Sequence, residues 1–137
     1  MKNIKKYNID IGSMSLTVSD EGAATLEKNR GNLDTDYSFI GYDSLGDPII
    51  HNSQNDKVFT STHGEGDWKL NEIAPSIGIF YQILERVSNL SRGRENPFLL
   101  ESNPITATEH DDFFSFLHAH NFTAFGLSYW QGWIDNI

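Results

Sequence analysis

Near residue 73 the apolar residues change their spacing, and that change decides most of what the chain can fold into. Before it lie three short aromatic or β-branched runs, "YSFIGY" (37–42), "PIIH" (48–51) and "KVFTST" (57–62). Between them stand residues that turns favour: Asp43, Ser44, Gly46 and Asp47, then "NSQND". In the third run Val58, Thr60 and Thr62 share one side and Phe59 takes the other, the period of two that marks a half-buried strand. Strand, turn, strand, turn, strand predicts an antiparallel meander, closed by the glycines of "HGEGD" (63–67). From Ile73 onward Ile77, Phe80, Tyr81, Leu84 and Val87 recur at intervals of three and four, one apolar stripe of a helix. Pro75 suits a first helical turn, Arg86 and Arg92 suit the cation-favouring end, and Gly93 supplies a stop.

Outside this frame the signals are sparser. Met14, Leu16 and Val18 alternate with serine and threonine, predicting a first strand that ends at the turn Ser19 to Gly22. Residues 23–36 offer a turn or two of helix around Ala24 and Leu26 before Gly31. Residues 91–104, with two prolines, read as a loop anchored by Phe98 to Leu100. A second helix is expected to start at Thr108, whose hydroxyl caps while Asp111 fills the acidic half of a capping box, with Phe113, Phe116, Leu117 and His120 on one face. The aromatic tail, residues 121–137, is expected to dock on the core.

A chain of 137 residues fits one domain, here 1–137, and its 38% hydrophobic content is that of a folded protein. The absence of cysteine excludes disulfide staples, a thiolate nucleophile and Cys-ligated zinc, and fits a reducing compartment. No stretch reaches the ~20 apolar residues of a membrane span, and the lysine-bearing N-terminus leads into polar residues, so the expected location is the cytoplasm. The net charge of −9 repels phosphate backbones, which argues against direct nucleic-acid binding. It either serves solubility alone or complements a basic partner protein.

Catalytic patterns fail on spacing. Asp43, Asp47, His51, His63, Glu65 and Asp67 cluster in the meander turns, but His51 and His63 are a whole hairpin apart, whereas zinc hydrolases place two histidines one helical turn apart. Residues 43–54 miss a calcium loop because Leu45 and Gln54 stand where oxygen ligands belong. No serine lies in a nucleophile elbow and no glycine run cradles phosphate. His110, Asp111 and Asp112 could move protons, yet a helix N-terminus favours acids without any function. Trp130 and Trp133 beside Tyr129 are core filler, a partner hot spot or the platform of a small-ligand sensor, and Trp68 follows a glycine-rich turn where it would stand exposed as an anchor.

The Gly41 and Gly46-Asp47 turn, "PIIH", "KVFTST" with His63-Gly64-Glu65, and "IAPSIGIFYQIL" with Ala74, Ser76 and Phe80 resemble the SUKH superfamily of bacterial toxin-immunity proteins, Smi/Knr-like and related to Syd. The likeness spans residues 37–87 and rests on residues that build a fold. It implies an α+β fold, an antiparallel sheet meander flanked by helices. It also implies a non-enzymatic role: binding a cognate toxin, often a nuclease with a basic cleft, and neutralising it without cofactor or metal. The residues then expected to face the partner are the acids and the aromatic of the meander turns, Asp43, Asp47, Asp56, Glu65, Asp67 and Trp68. The alternative is a small metal-dependent hydrolase built on His51, His63, Glu65 and Asp67.

Overall fold

The chain enters its sheet through a tight hairpin. Tyr7–Ile11 (β1) and Met14–Val18 (β2) pair antiparallel, with Ile11 opposite Met14 across Gly12 and Ser13. Gly12 has φ 57, the positive φ that the first position of a two-residue hairpin loop requires and glycine adopts without strain. The structure, a computed structural model, describes residues 4–20, 24, 27–28, 30–61 and 68–135. The strands Tyr37–Asp43 (β3), Pro48–Asn52 (β4), Val58–Thr60 (β5) and Asn71–Ala74 (β6) follow. All six pair antiparallel in chain order, a continuous meander.

Four helices complete an α+β fold among the described residues: Ile77–Ser91 (α1), Pro97–Ser102 (α2), Ala107–His118 (α3) and Ala124–Asp135 (α4). One face of the sheet, carrying Ile9, Leu16, Val18, Ile40, Ile49, Val58 and Ile73, packs against Phe80, Ile83, Leu84 and Val87 of α1 and against Trp130 and Trp133 of α4. Each such side chain contributes roughly 1.5–3 kcal/mol by leaving water. A smaller cluster, Leu33, Phe39 and Ile50 with Tyr37, Phe59, Trp68 and Leu70 around it, lies apart from this core. Phe39, Ile50 and Phe59 are cross-strand partners and so share the opposite face.

Several boundaries differ from those the sequence predicts. β1 was invisible because Asn8 and Asp10, both poor strand formers, occupy its outward side. Ile73 opens no helix: it is buried in β6, and Ser76 caps α1, its Oγ accepting from Ile79 N–H at 3.1 Å. Pro75 therefore precedes the cap. The apolar stripe starts one turn too early because Ile73, a buried strand residue, falls in helical phase with Ile77. Arg86 sits mid-helix with its guanidinium over the Phe116 ring at 4.1 Å, and Gly93, at φ 76, does end the helix.

α3 is capped two residues earlier than expected. Thr106 and Glu109 form the complete capping box, in place of Thr108 and Asp111. Residues 91–104 hold the short helix α2, and Phe98 is 76% exposed, so it anchors nothing. The anchor is Arg94, buried, which donates to the carbonyls of Leu90, Asn103 and Pro104 and pairs bidentately with Glu109. Gly41 is no turn residue either. It lies within β3 at a register shift, where a Cβ would stand 2.1 Å from the Thr17 carbonyl oxygen, so only glycine lets β2 and β3 close there.

Candidate functional site

The β3–β4 turn draws the predicted acids into one place and then separates their roles. Asp43 ends β3 and is buried. Its Oδ1 accepts the N–H groups of Leu45 (2.9 Å) and Asp47 (3.2 Å), an Asx-type turn that folds the tip back on itself. Its Oδ2 accepts the Tyr129 hydroxyl of α4 at 3.0 Å, joining residues far apart in sequence. Burial pushes the Asp43 carboxyl above its ordinary range, with the Tyr129 hydrogen bond opposing. Burial, and next the Asp43 charge, push the Tyr129 phenol well up. Asp43, expected to face a partner, is buried rather than exposed, and its oxygens hold the turn and dock α4 while the residue lines the cavity beside them.

Around this pair lies a cavity of about 240 Å³ walled by Met14, Leu45, Thr60, Ser61, Asn71, Phe125 and Tyr129, with Asp43 and Asp47 at its acidic side. It is smaller than the pockets that enclose drug-sized ligands and suits a single inserted side chain. Leu45 is 68% exposed at the turn tip and Phe125 is 42% exposed, its ring stacked on Tyr129 at 6.3 Å. Asp47 is half-buried beside them. Leu45 and Phe125 were missed in the sequence. The available signal was an apolar residue in the middle of a turn, and Phe125 and Tyr129 four apart on one helical face.

Of the other predicted residues, the two that are described, Asp56 and Trp68, do not join this site. Asp56 is exposed in the β4–β5 turn at φ 65, a left-handed conformation aspartate tolerates, and its Oδ1 lies 2.8 Å from Nε2 of the buried His51. Trp68 stands on no exposed tip. It is half-buried, packed edge-on against Phe39 at 5.8 Å, and its main chain pairs reciprocally with the Asn32 amide. Glu65 and Asp67 lie outside the described residues, as do Gly22, Leu26, Thr62, His63 and Gly64. Of the proposed hydrolase set, only His51 is therefore placed, and it is turned to Asp56. Among the described residues no three His, Asp or Glu side chains gather where they could hold a metal. Trp130 and Trp133 are fully buried, so they form core and no ligand platform.

Among the described residues five cations are engaged within the molecule. Arg30 pairs with Glu27, Lys57 with Glu72 and Arg94 with Glu109, while Lys5 and Arg86 lie over the Tyr81 and Phe116 rings. Asp10, Asp20, Asp34, Glu95 and Asp112 are exposed, as are Lys6, Lys28, Lys69 and Arg92, and the acidic surplus gives the chain its net charge of −9. No described helix is long and apolar enough to cross a membrane. Comparison of the chain with family models, with curated proteins and with solved structures gave no match.

Proposed function

We propose that this chain is a non-enzymatic immunity-type protein that binds a basic protein toxin, a nuclease being the expected class, and neutralises it. The partner's contact would centre on the β3–β4 turn. The carrying observation is the pairing of exposed Leu45 and Phe125 with a side-chain-sized cavity bordered by Asp47 and Asp43. An apolar anchor ringed by polar groups is the anatomy of a binding hot spot. A cationic side chain whose aliphatic stem lies along Leu45 and Phe125 would bring its charge to Asp47. The net charge of −9 would accelerate the encounter and oppose nucleic acid at the same surface. That the partner is a toxin rests on the SUKH resemblance of residues 37–87.

The test is co-expression with the product of the adjacent reading frame, followed by titration calorimetry of the two purified proteins. Rescue of growth and a salt-sensitive complex are expected. Leu45→Lys should weaken the complex about tenfold or more, by placing a cation against the cationic partner. A neighbouring product that neither harms cells nor binds, or binding indifferent to Leu45, Asp47 and Phe125, would defeat the proposal.

A further inference from the structure

The two edges of the sheet are treated differently. At β6 the helix α4 lies alongside, and side chains of the helix and of Thr123 just before it occupy the edge: Trp130 Nε1–H donates to the Ile73 carbonyl at 2.8 Å and the Thr123 hydroxyl to the Glu72 carbonyl at 3.1 Å. On β1 the helix α1 packs against the inner face through Tyr81 and Tyr7, and at the loop end Gly12 N–H donates to the Arg94 carbonyl at 2.8 Å. The edge from Asn8 to Asp10, however, carries no such bonds among the described residues. The hairpin register sets Ile11, Ile9 and Tyr7 opposite Met14, Leu16 and Val18. A two-residue loop makes the pair flanking it hydrogen-bonded, and the bonded pairs recur at every second residue. The main-chain groups of Asn8 and Asp10 therefore point away from β2. Among the described residues nothing bonds to them. Such an edge is a template for another strand unless its side chains forbid one.

The side chains of β1 forbid most strands and fit one. Lys6, Asn8 and Asp10, all exposed, follow one another at the strand period and lie on its outward face. Consider a second copy of β1 running antiparallel with Asn8 opposite Asn8. Lys6 then faces Asp10 of the other copy, and Asp10 faces Lys6. The same register places the outward main-chain groups of all three residues opposite one another, giving about six main-chain hydrogen bonds. A slip of two residues leaves the charges against asparagine or beyond the strand. A slip of four brings lysine against lysine or aspartate against aspartate, which is destabilising. One register satisfies backbone and charge together, and it is two-fold symmetric, as the isologous interface of a closed dimer is.

We propose that β1 is a homodimer interface, a second copy of this chain adding its own β1 antiparallel about Asn8 to join the two sheets into one. It uses no residue of the toxin-binding surface and stands independently of that reading. Sedimentation equilibrium of the full chain, from micromolar to submillimolar concentration, should give a reversible monomer–dimer equilibrium. Asp10→Lys and Lys6→Asp should each raise the dissociation constant about tenfold or more, since two attractions become two repulsions. The double variant carrying both changes should recover the original affinity. An equimolar mixture of the two single variants should associate although neither does alone. Far-ultraviolet circular dichroism establishes that each variant is folded. A wild-type chain that stays monomeric throughout, single variants that dimerise normally, or a double variant as weak as the singles would each overturn the proposal.

Discussion

The two faces of the sheet are buried by different means. On one face whole helices supply the cover, and their backbones satisfy their own hydrogen bonds, so the contacts reduce to hydrocarbon and rings: Phe80, Ile83, Leu84, Trp130 and Trp133. On the other face Leu33, Phe39 and Ile50 are covered by the loop segments around residues 30–34 and 68–70. A loop laid over a sheet brings unpaired main-chain groups, and side chains must answer them. Arg30 donates to the carbonyls of Asp34 (2.7 Å) and Tyr37 (2.8 Å), and the Asn32 amide both donates to and accepts from the main chain of Trp68. One face is therefore held by packing and the other by packing that a few polar groups make possible.

Large-to-small substitutions should separate the two. Trp130→Ala removes a fully buried ring that contacts Phe80 and Trp133 and leaves the Ile73 carbonyl without its donor. A loss of about 4–5 kcal/mol is expected, the upper part of the range for aromatic truncation, measured by urea denaturation. Phe39→Ala on the loop-covered face should cost less, about 3 kcal/mol, because a loop can settle into the space where a helix cannot. Equal losses would erase the distinction between the two covers.

Legibility in the sequence follows the same division. Strands β2 and β5 and the body of α1 declared themselves through period, whereas β3 and β4 showed as aromatic and β-branched runs between turn residues, β4 being buried on both sides and so without alternation. The C-terminal rings Trp130 and Trp133 were correctly expected to dock. β6 was absorbed into the following helix, since Ile73 and Ala74 are buried whichever period is assumed. The α3 cap was misplaced because Thr106 and Thr108 are equally good caps, and only the reach of Glu109 to both Arg94 and the Thr106 N–H decides between them. At the candidate site, aspartates in a turn were legible as a group. Their division was not: Asp43 was fixed to the fold by a tyrosine from the last helix, a pairing no local pattern carries.

The polar supports of the loop-covered face give a smaller and sharper test. Asn32→Ala deletes two contacts to the Trp68 main chain and should cost about 1–2 kcal/mol. In combination with Phe39→Ala the losses should be less than additive, because both act through the seating of Trp68 on Phe39. Combined with Trp130→Ala they should add. A double-mutant cycle on each pair distinguishes one cooperative body from two semi-independent faces.

Acid should produce the smallest effects, and they concern the helix-covered side. The Arg94 guanidinium and the Thr106 N–H hold the Glu109 carboxyl down at about 2, against an ordinary 4.5. A folded value below the unfolded one stabilises above pH 4.5, and that contribution is lost as pH falls from 4.5 toward 2. Asp43 runs the opposite way. Its folded value lies above the ordinary 3.8, so its contribution is greatest below 3.8 and declines as pH rises through the folded value. Wild-type stability thus sums two slopes of opposite sign. Asp43→Asn keeps an acceptor for the Leu45 and Asp47 N–H groups but cannot titrate, so on acidification it should lose more of its stability than the wild type does. Arg94→Met should lose less of its own, lower, stability between pH 4.5 and 2, since Glu109 then has no strong partner to surrender. Urea midpoints followed across this range would read both. If the two variants keep the wild-type slope, neither carboxyl carries the linkage assigned to it, and the helix-covered face owes its hold to packing alone.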